Sequence, residues 1–284
     1  MLKILPLQSM MLLLEYLQEV KNFLDGSSKK NIPWLFCNDK WLEKLQRTDA
    51  LWDSNRNLVM EMAEDGIMSP IAIEDVKDYL PYLWKNPVTK NKPNGNIPWW
   101  SDDLGEYLFD GDYGKKTYCT ISNENLAATQ DHTVSASTIT LCPVSFKNTA
   151  ASAKLGGKKP TKGLSVEKIV PRSGTFYHEL FHLVLGNART YDITYFWNQQ
   201  QEFLQTPDDY PPVDPDSDDE DEDGDVNMDE DEDQDLTYVQ LIRENPETYL
   251  WFSVGYWYFQ QTQWSKETNQ RWSFHNGAGE LVQI

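Results

Sequence analysis

The sequence predicts an α+β chain, and three observations carry that prediction. Two runs thick in β-branched residues, Thr117-Tyr118-Cys119-Thr120-Ile121 and Thr138-Ile139-Thr140-Leu141-Cys142, read as strands. Helical periodicity then takes over: Phe176, Leu180, Leu183 and Val184 recur at i, i+4, i+7 and i+8, and a second apolar helix opens at Asn245-Pro246. The third observation is composition. A chain of 284 residues that is 39% hydrophobic and 13% aromatic can bury a large core, which excludes a wholly disordered protein.

Taken in order, residues 1–30 admit two readings. Met1-Leu2-Lys3 and the mostly apolar run to Leu14 have the charge and length of a signal-peptide core. Glu15, Tyr16, Gln18 and Glu19, however, stand where a cleavage site would have small residues, whereas Met10, Leu13, Leu14, Leu17 and Val20 fit one face of an amphipathic helix. The pattern favours an N-terminal helix over an imperfect signal segment. No run of 18 uninterrupted apolar residues occurs, so no membrane span is expected.

From Asn31 to about Pro98 the pattern suggests helical pieces broken by prolines, anchored by Trp41, Leu42 and Leu45 and then by Leu58, Met60 and Met62. Pro93, Asn94, Gly95 and Asn96 mark a turn, and Lys154 to Gly163, without periodicity, reads as an exposed loop. Thr175 as N-cap and Gly186-Asn187 as the stop bound a helix over 175–186. Residues 207–235 form a low-complexity acidic tract that like-charge repulsion should keep disordered. Order resumes beyond it. Asn245 as N-cap and Pro246 at the first position open a helix through Tyr249, Phe252, Val254, Tyr256 and Phe259, expected to be buried on most sides. The tract is therefore read as an insertion in one domain, 31–284.

The net charge of −20 has a local origin. Seventeen of the 45 acidic residues lie between Asp208 and Asp235, leaving 28 acids against 25 bases elsewhere. No general basic surface exists, and nucleic acid is not an expected partner. Three cysteines, Cys37, Cys119 and Cys142, are too few for a disulfide scaffold. In an exported chain Cys119 and Cys142 are the expected pair, worth about 3 kcal/mol by the chain-entropy account, with Cys37 left over.

Chemistry concentrates in His178-Glu179-Leu180-Phe181-His182. On a helix, positions i and i+4 share a face, so two imidazoles can reach one metal ion while the intervening glutamate points at a ligand on that ion. The only other histidines are His132 and His275, which carry no motif and are expected at the surface. With so few histidines, the chance of any His-Glu-x-x-His in this chain is about three in a thousand. A catalytic zinc wants three protein ligands and an open position. A metzincin would place glycine and histidine three and six residues after His182, where Leu185 and Ala188 stand. A gluzincin would use a later glutamate, Glu202 or Glu244. The nearer candidate is Asp192, in Thr190-Tyr191-Asp192-Ile193-Thr194-Tyr195.

These segments together resemble the aspzincin metallopeptidase family, the group of deuterolysin and the fungal peptidyl-Lys metalloendopeptidases, whose second motif reads Gly-Thr-x-Asp-x-x-Tyr-Gly. The resemblance implies a zincin-like domain, one zinc per chain held by His178, His182 and Asp192, and Tyr195 as the hydroxyl that steadies the tetrahedral intermediate. Ile139-Thr140-Leu141-Cys142-Pro143 looks like the edge strand of these enzymes, and Asn245-Pro246-Glu247-Thr248-Tyr249 resembles the start of their C-terminal helix. Arg189 and Phe196 replace the two family glycines, which bears on the backbone of the loop holding Asp192.

The function expected from the sequence is therefore a monomeric zinc endopeptidase with Glu179 as general base, acting on peptides or proteins, with the acidic tract biasing it toward basic ones. The alternatives are a gluzincin using Glu202 or Glu244, and a catalytically degenerate member serving as a binding module. The resemblance favours export, while the poor signal segment leaves an intracellular location open.

Overall fold

The computed structural model describes residues 7–26, 32–63, 66–93, 96–110, 116–130, 137–149, 151–205, 236–265 and 267–284. It is a mixed α+β chain of helices and small sheets. The acidic tract, His132, and Asn94 and Gly95 of the expected turn lie outside the described residues. The chain divides into two compact units, one of residues 31–147 and one that joins 1–30 to 148–284. This grouping differs from a single domain over 31–284. Helix α1 (Leu7–Leu24) packs against the helix that carries His178, so the first element belongs with the C-terminal half.

The 31–147 unit runs through β1 (Trp34–Phe36), β2 (Glu43–Lys44), β3 (Met60–Met62), β4 (Met68–Pro70), α2 (Leu80–Leu83), β5 (Trp84–Asn86), β6 (Asn91–Pro93), β7 (Ile97–Ser101) and β8 (Glu106–Asp110). It continues with α3 (Tyr118–Ile121), β9 (Ala127–Gln130), β10 (Thr138–Leu141) and α4 (Pro143–Lys147). The helical pieces expected between Asn31 and Pro98 are mostly short strands. Met60, Met62 and Leu58, taken as helix anchors, are exposed on or beside the β3–β4 hairpin, whereas Trp41 and Leu45 are buried. Leu45, Leu51, Ile73, Leu83 and Trp100 form a core against the β2-β7-β8 sheet.

Two strand expectations in this unit resolve differently. Thr138–Leu141 is a strand, but an internal one: β1 pairs with it in parallel on one side and β9 antiparallel on the other, and Thr138, Ile139 and Thr140 are buried. Thr117–Ile121 is a helical turn. Thr117 N–H donates to Thr120 Oγ1 (2.9 Å), while Thr120 N–H and Ile121 N–H donate to the Thr117 carbonyl (2.9 and 3.0 Å), so threonine side chains cap a turn here instead of filling a pleat. Cys119 on that turn is disulfide-bonded to Cys142, and Cys37 is free and exposed.

The second unit contains α1, α5 (Ser173–Leu185), α6 (Trp197–Phe203), α7 (Tyr238–Glu244), α8 (Pro246–Gln260) and the hairpin β11 (Gln270–Ser273) with β12 (Glu280–Gln283). Its core joins Val166 and Ile169 to Leu250, Trp251, Val254 and Tyr258 of α8, closed by Trp272 and Phe274. Asn245 caps α8 as expected, its side-chain oxygen accepting from Glu247 N–H (3.2 Å) with Pro246 following. Burial of α8 is narrower than expected, for Phe252 and Tyr256 stack on each other at its exposed face.

Helix α5 starts two residues before the expected cap, at Ser173. Gly174 there lets α5 and its neighbours close up: a Cβ would meet Val170 Cγ1 at 2.5 Å and Leu250 side-chain carbons at 3.4 Å. Packing α5 against α8 buries Leu180, Phe181 and Leu185. Each such side chain contributes about 1.5–3 kcal/mol of burial, which is how the helix carries the polar residues it also buries. On α1, Tyr16 and Val20 are buried, Leu17 is half-buried and Leu14 exposed; the side chains of Met10 and Leu13 are outside the described set. Among the described residues no helix is long and apolar enough to cross a membrane.

Candidate metal centre

His178, Glu179 and His182 are all buried on α5. The helix then stops at Gly186, whose φ of +85° is left-handed and turns the chain into a single 3₁₀ turn over Asn187–Arg189. That turn brings Asp192 back to the histidine face. His178 Nε2 lies 3.0 Å and His182 Nε2 3.2 Å from Asp192 Oδ1, and the two Nε2 atoms are 3.2 Å apart. Among the described residues, these three are the one group of His, Cys, Asp and Glu whose ligand atoms converge closely enough to hold a metal. Ligand atoms about 2.0–2.1 Å from a tetrahedral zinc sit about 3.3 Å from one another. The observed triangle is that size within a few tenths of an ångström, so the donor set fits such an ion.

The outward nitrogen of each imidazole has its own neighbour. His182 Nδ1 is 2.7 Å from Thr190 Oγ1, and the Thr190 hydroxyl donates to the Gly186 carbonyl (2.9 Å). A hydroxyl whose proton is spent on a carbonyl accepts at its lone pair, which assigns the His182 proton to Nδ1 and leaves Nε2 free as a ligand. His178 Nδ1 is buried, without a well-formed hydrogen bond among the described residues, and faces Glu247 Oε1 at 3.4 Å. Glu247 is placed by the α8 cap, and Asn245 Nδ2 also donates to the Thr194 carbonyl (2.9 Å), tying α8 to the loop after Asp192. Tyr191 N–H adds a bond to the Glu244 carbonyl (3.3 Å).

Charge in the centre is strongly coupled. Burial by itself would lower the His178 pKa, but the hydrogen bond to Asp192 and attraction from Asp192 and Glu247 push it up to about 10. Burial would raise Asp192, and hydrogen bonds from His178 and His182 hold it well below the usual carboxylate range. Tyr195 sits at the rim: its ring lies 5.7 Å from that of His178 and its hydroxyl donates to Asp192 Oδ2 (2.8 Å).

The structure thus brings together His178, His182, Asp192 and Tyr195, and Glu179 is buried next to His178 along α5. Glu202 on α6 and Glu244 at the end of α7 do not join the cluster of ligand atoms. His275 is a surface residue, 2.9 Å from Glu280. Thr190 and Glu247 were not assigned roles from sequence. Thr190 stands two residues before Asp192 within the quoted motif, and only the turn at Gly186 reveals which imidazole it serves. Arg189 has right-handed backbone and Phe196 is extended, so neither position demands a glycine in this chain. The chain matches no known protein family, no characterised protein and no solved structure at significant similarity.

Proposed function

We propose that the chain is a zinc-dependent endopeptidase whose zincin-like catalytic unit is built from residues 1–30 and 148–284. One observation carries the reading: His178 Nε2, His182 Nε2 and Asp192 Oδ1 lie within 3.2 Å of one another, beside a buried glutamate on the same helix. Two imidazoles and a carboxylate form a ligand set that suits zinc and leaves a coordination position open. A bound zinc would supply Lewis acidity toward a peptide carbonyl and lower the pKa of water toward about 7.

The remaining work falls to the protein's own groups. Glu179 takes the attacking water's proton onto its carboxylate and hands it to the leaving amide nitrogen. Tyr195, about half exposed, turns from Asp192 Oδ2 to donate its phenolic proton to the developing oxyanion. Thr190 keeps His182 in the tautomer that presents Nε2. The Cys119–Cys142 disulfide supports an oxidising, exported setting for such a peptidase.

The test is zinc analysis of the purified chain together with casein digestion with and without a chelator. Glu179→Gln should keep its zinc and lose at least about 10²-fold in rate, since the amide preserves shape and removes the base. A wild-type chain that binds zinc and cleaves no peptide would instead make the fold a metal-stabilised binding module.

A further inference from the structure

We infer that Tyr16 of α1 and Arg189 form a positioning pair that holds the Thr190–Asp192 loop against the ligand helix, which makes the N-terminal helix a working part of the metal centre. The inference rests on the metal-site reading above. The Arg189 guanidinium lies over the Tyr16 ring, 5.1 Å from its centroid, with Glu15 and Glu19 of the same helix adding negative charge around it. Tyr16 is itself buried, and its other neighbour is Tyr249 of α8, at 5.4 Å between centroids. Tyr249 in turn stacks on Phe181 of α5 at 4.9 Å. A continuous stack of four side chains therefore runs from Arg189, three residues before Asp192, to Phe181, one residue before His182. It joins the two halves of the ligand set through α1.

Two features show why the loop would depend on this support. Backbone bonds of this loop are at the long end: Arg189 N–H to the Gly186 carbonyl at 3.1 Å, Thr190 N–H to Asn187 at 3.3 Å and Tyr191 N–H to Glu244 at 3.3 Å. Arg189 is also exposed, so its side chain is not fixed by burial and the Tyr16 ring is what orients it. Where the resembling family has a flexible glycine, this chain has a right-handed residue with a long arm, and the arm reaches the helix that begins the fold.

The experiment measures zinc affinity, by competition with a chromophoric chelator, and melting temperature on the full chain. Tyr16→Ala and Arg189→Ala should each weaken zinc about tenfold, the low end of what losing an outer support of a metal ligand costs. The double variant should also lose about tenfold, not a hundredfold, because either change breaks the same link. Arg189→Lys, which keeps the cation, should stay within about threefold of wild type, while Tyr16→Phe, which keeps the ring and loses the hydrogen bond to Arg189, should fall between wild type and Tyr16→Ala. If the pair only fastens α1, melting temperature will fall with zinc affinity unchanged, and the inference is overturned; additive losses overturn it as well. Should Tyr16→Ala fail to fold, Arg189→Ala and its Lys rescue decide alone. A wild-type chain that holds no zinc removes the metal-site reading itself, whereas a zinc-binding chain with all variants alike removes only this inference.

Discussion

Removing the Asp192 carboxylate is the sharpest test of the centre. Structural zinc sites with four protein ligands are worth about 10–16 kcal/mol, so one ligand of such a set contributes about 2.5–4 kcal/mol, or about 10²–10³-fold in affinity. Two local effects modify that figure in opposite directions. Losing Asp192 also removes the acceptor of the Tyr195 hydroxyl, which donates to Oδ2 at 2.8 Å, and this loosens the loop further. Against that, Asp192 helps keep a proton on His178, 3.0 Å away, and zinc must expel that proton to bind. The second effect fades as pH approaches the His178 pKa of about 10, so more of the ligand's contribution is read at about pH 9 than at pH 7. Asp192→Ala should therefore weaken zinc by about 10–10²-fold at pH 9, with a smaller loss at pH 7, in competition titrations against a chelator of known affinity. Glu202→Ala and Glu244→Ala should match wild type. If either of those lowers zinc content while Asp192→Ala does not, the third ligand is a glutamate and the assignment of the loop is wrong.

Two further substitutions probe the residues around the ligands. Tyr195→Phe should lower turnover with little change in KM, because the phenol is assigned to the oxyanion that forms in the transition state; steady-state kinetics that leave turnover intact would return Tyr195 to an ordinary rim aromatic. Glu247→Gln should leave α8 folded and flatten the rise of zinc affinity between pH 7 and pH 9, since the amide carries no charge to hold a proton on His178; an unchanged slope would leave Glu247 with no part in the charge of His178.

The parts of this structure that were legible in the sequence are those set by local chemistry. His178 and His182 share a face because a helix has 3.6 residues per turn, and Asn245-Pro246 opens α8 because a side-chain cap and a fixed φ act within three residues. What failed depended on neighbours. Thr117–Ile121 has strand composition, yet Thr120 bonds back to Thr117 and nucleates a turn that the Cys119–Cys142 disulfide pins. Thr138–Leu141 has the right conformation and the wrong expected place, because nothing in its own residues announces that Trp34–Phe36 will pair beside it in parallel. Met60 and Met62 stand two residues apart, as a strand requires, but the surrounding prolines and leucines suggested broken helices. The neighbours of the candidate ligands were illegible for the same reason. Thr190 and Glu247 are common residue types, and only the turn at Gly186 and the crossing of α5 with α8 aim them at the imidazoles.

Without zinc, the centre is a proton site, and its pH behaviour follows from the same three side chains. His178 and Asp192 form one ion pair, and each holds the other in its charged form. The His178 pKa is raised in the fold, to about 10, from about 6.5 in the unfolded chain. Its stabilisation is complete below about pH 6.5 and disappears as pH rises through about 10. Asp192 is depressed, so its share is complete above about pH 4 and disappears as pH falls below that. The zinc-free chain should accordingly draw most from this pair between about pH 4 and pH 6.5, and its melting temperature should fall between pH 7 and pH 9. Zinc affinity must move the other way. Binding requires neutral His178, so uptake releases a proton and affinity should rise by about tenfold per pH unit across the same range. Calorimetry of the zinc-free chain and chelator competition at pH 7, 8 and 9 measure the two slopes independently. Zinc affinity that stays flat over this range, or a zinc-free melting temperature that rises, would mean His178 is already neutral at pH 7, and the ion pair with Asp192 would not be what satisfies the centre in the absence of metal.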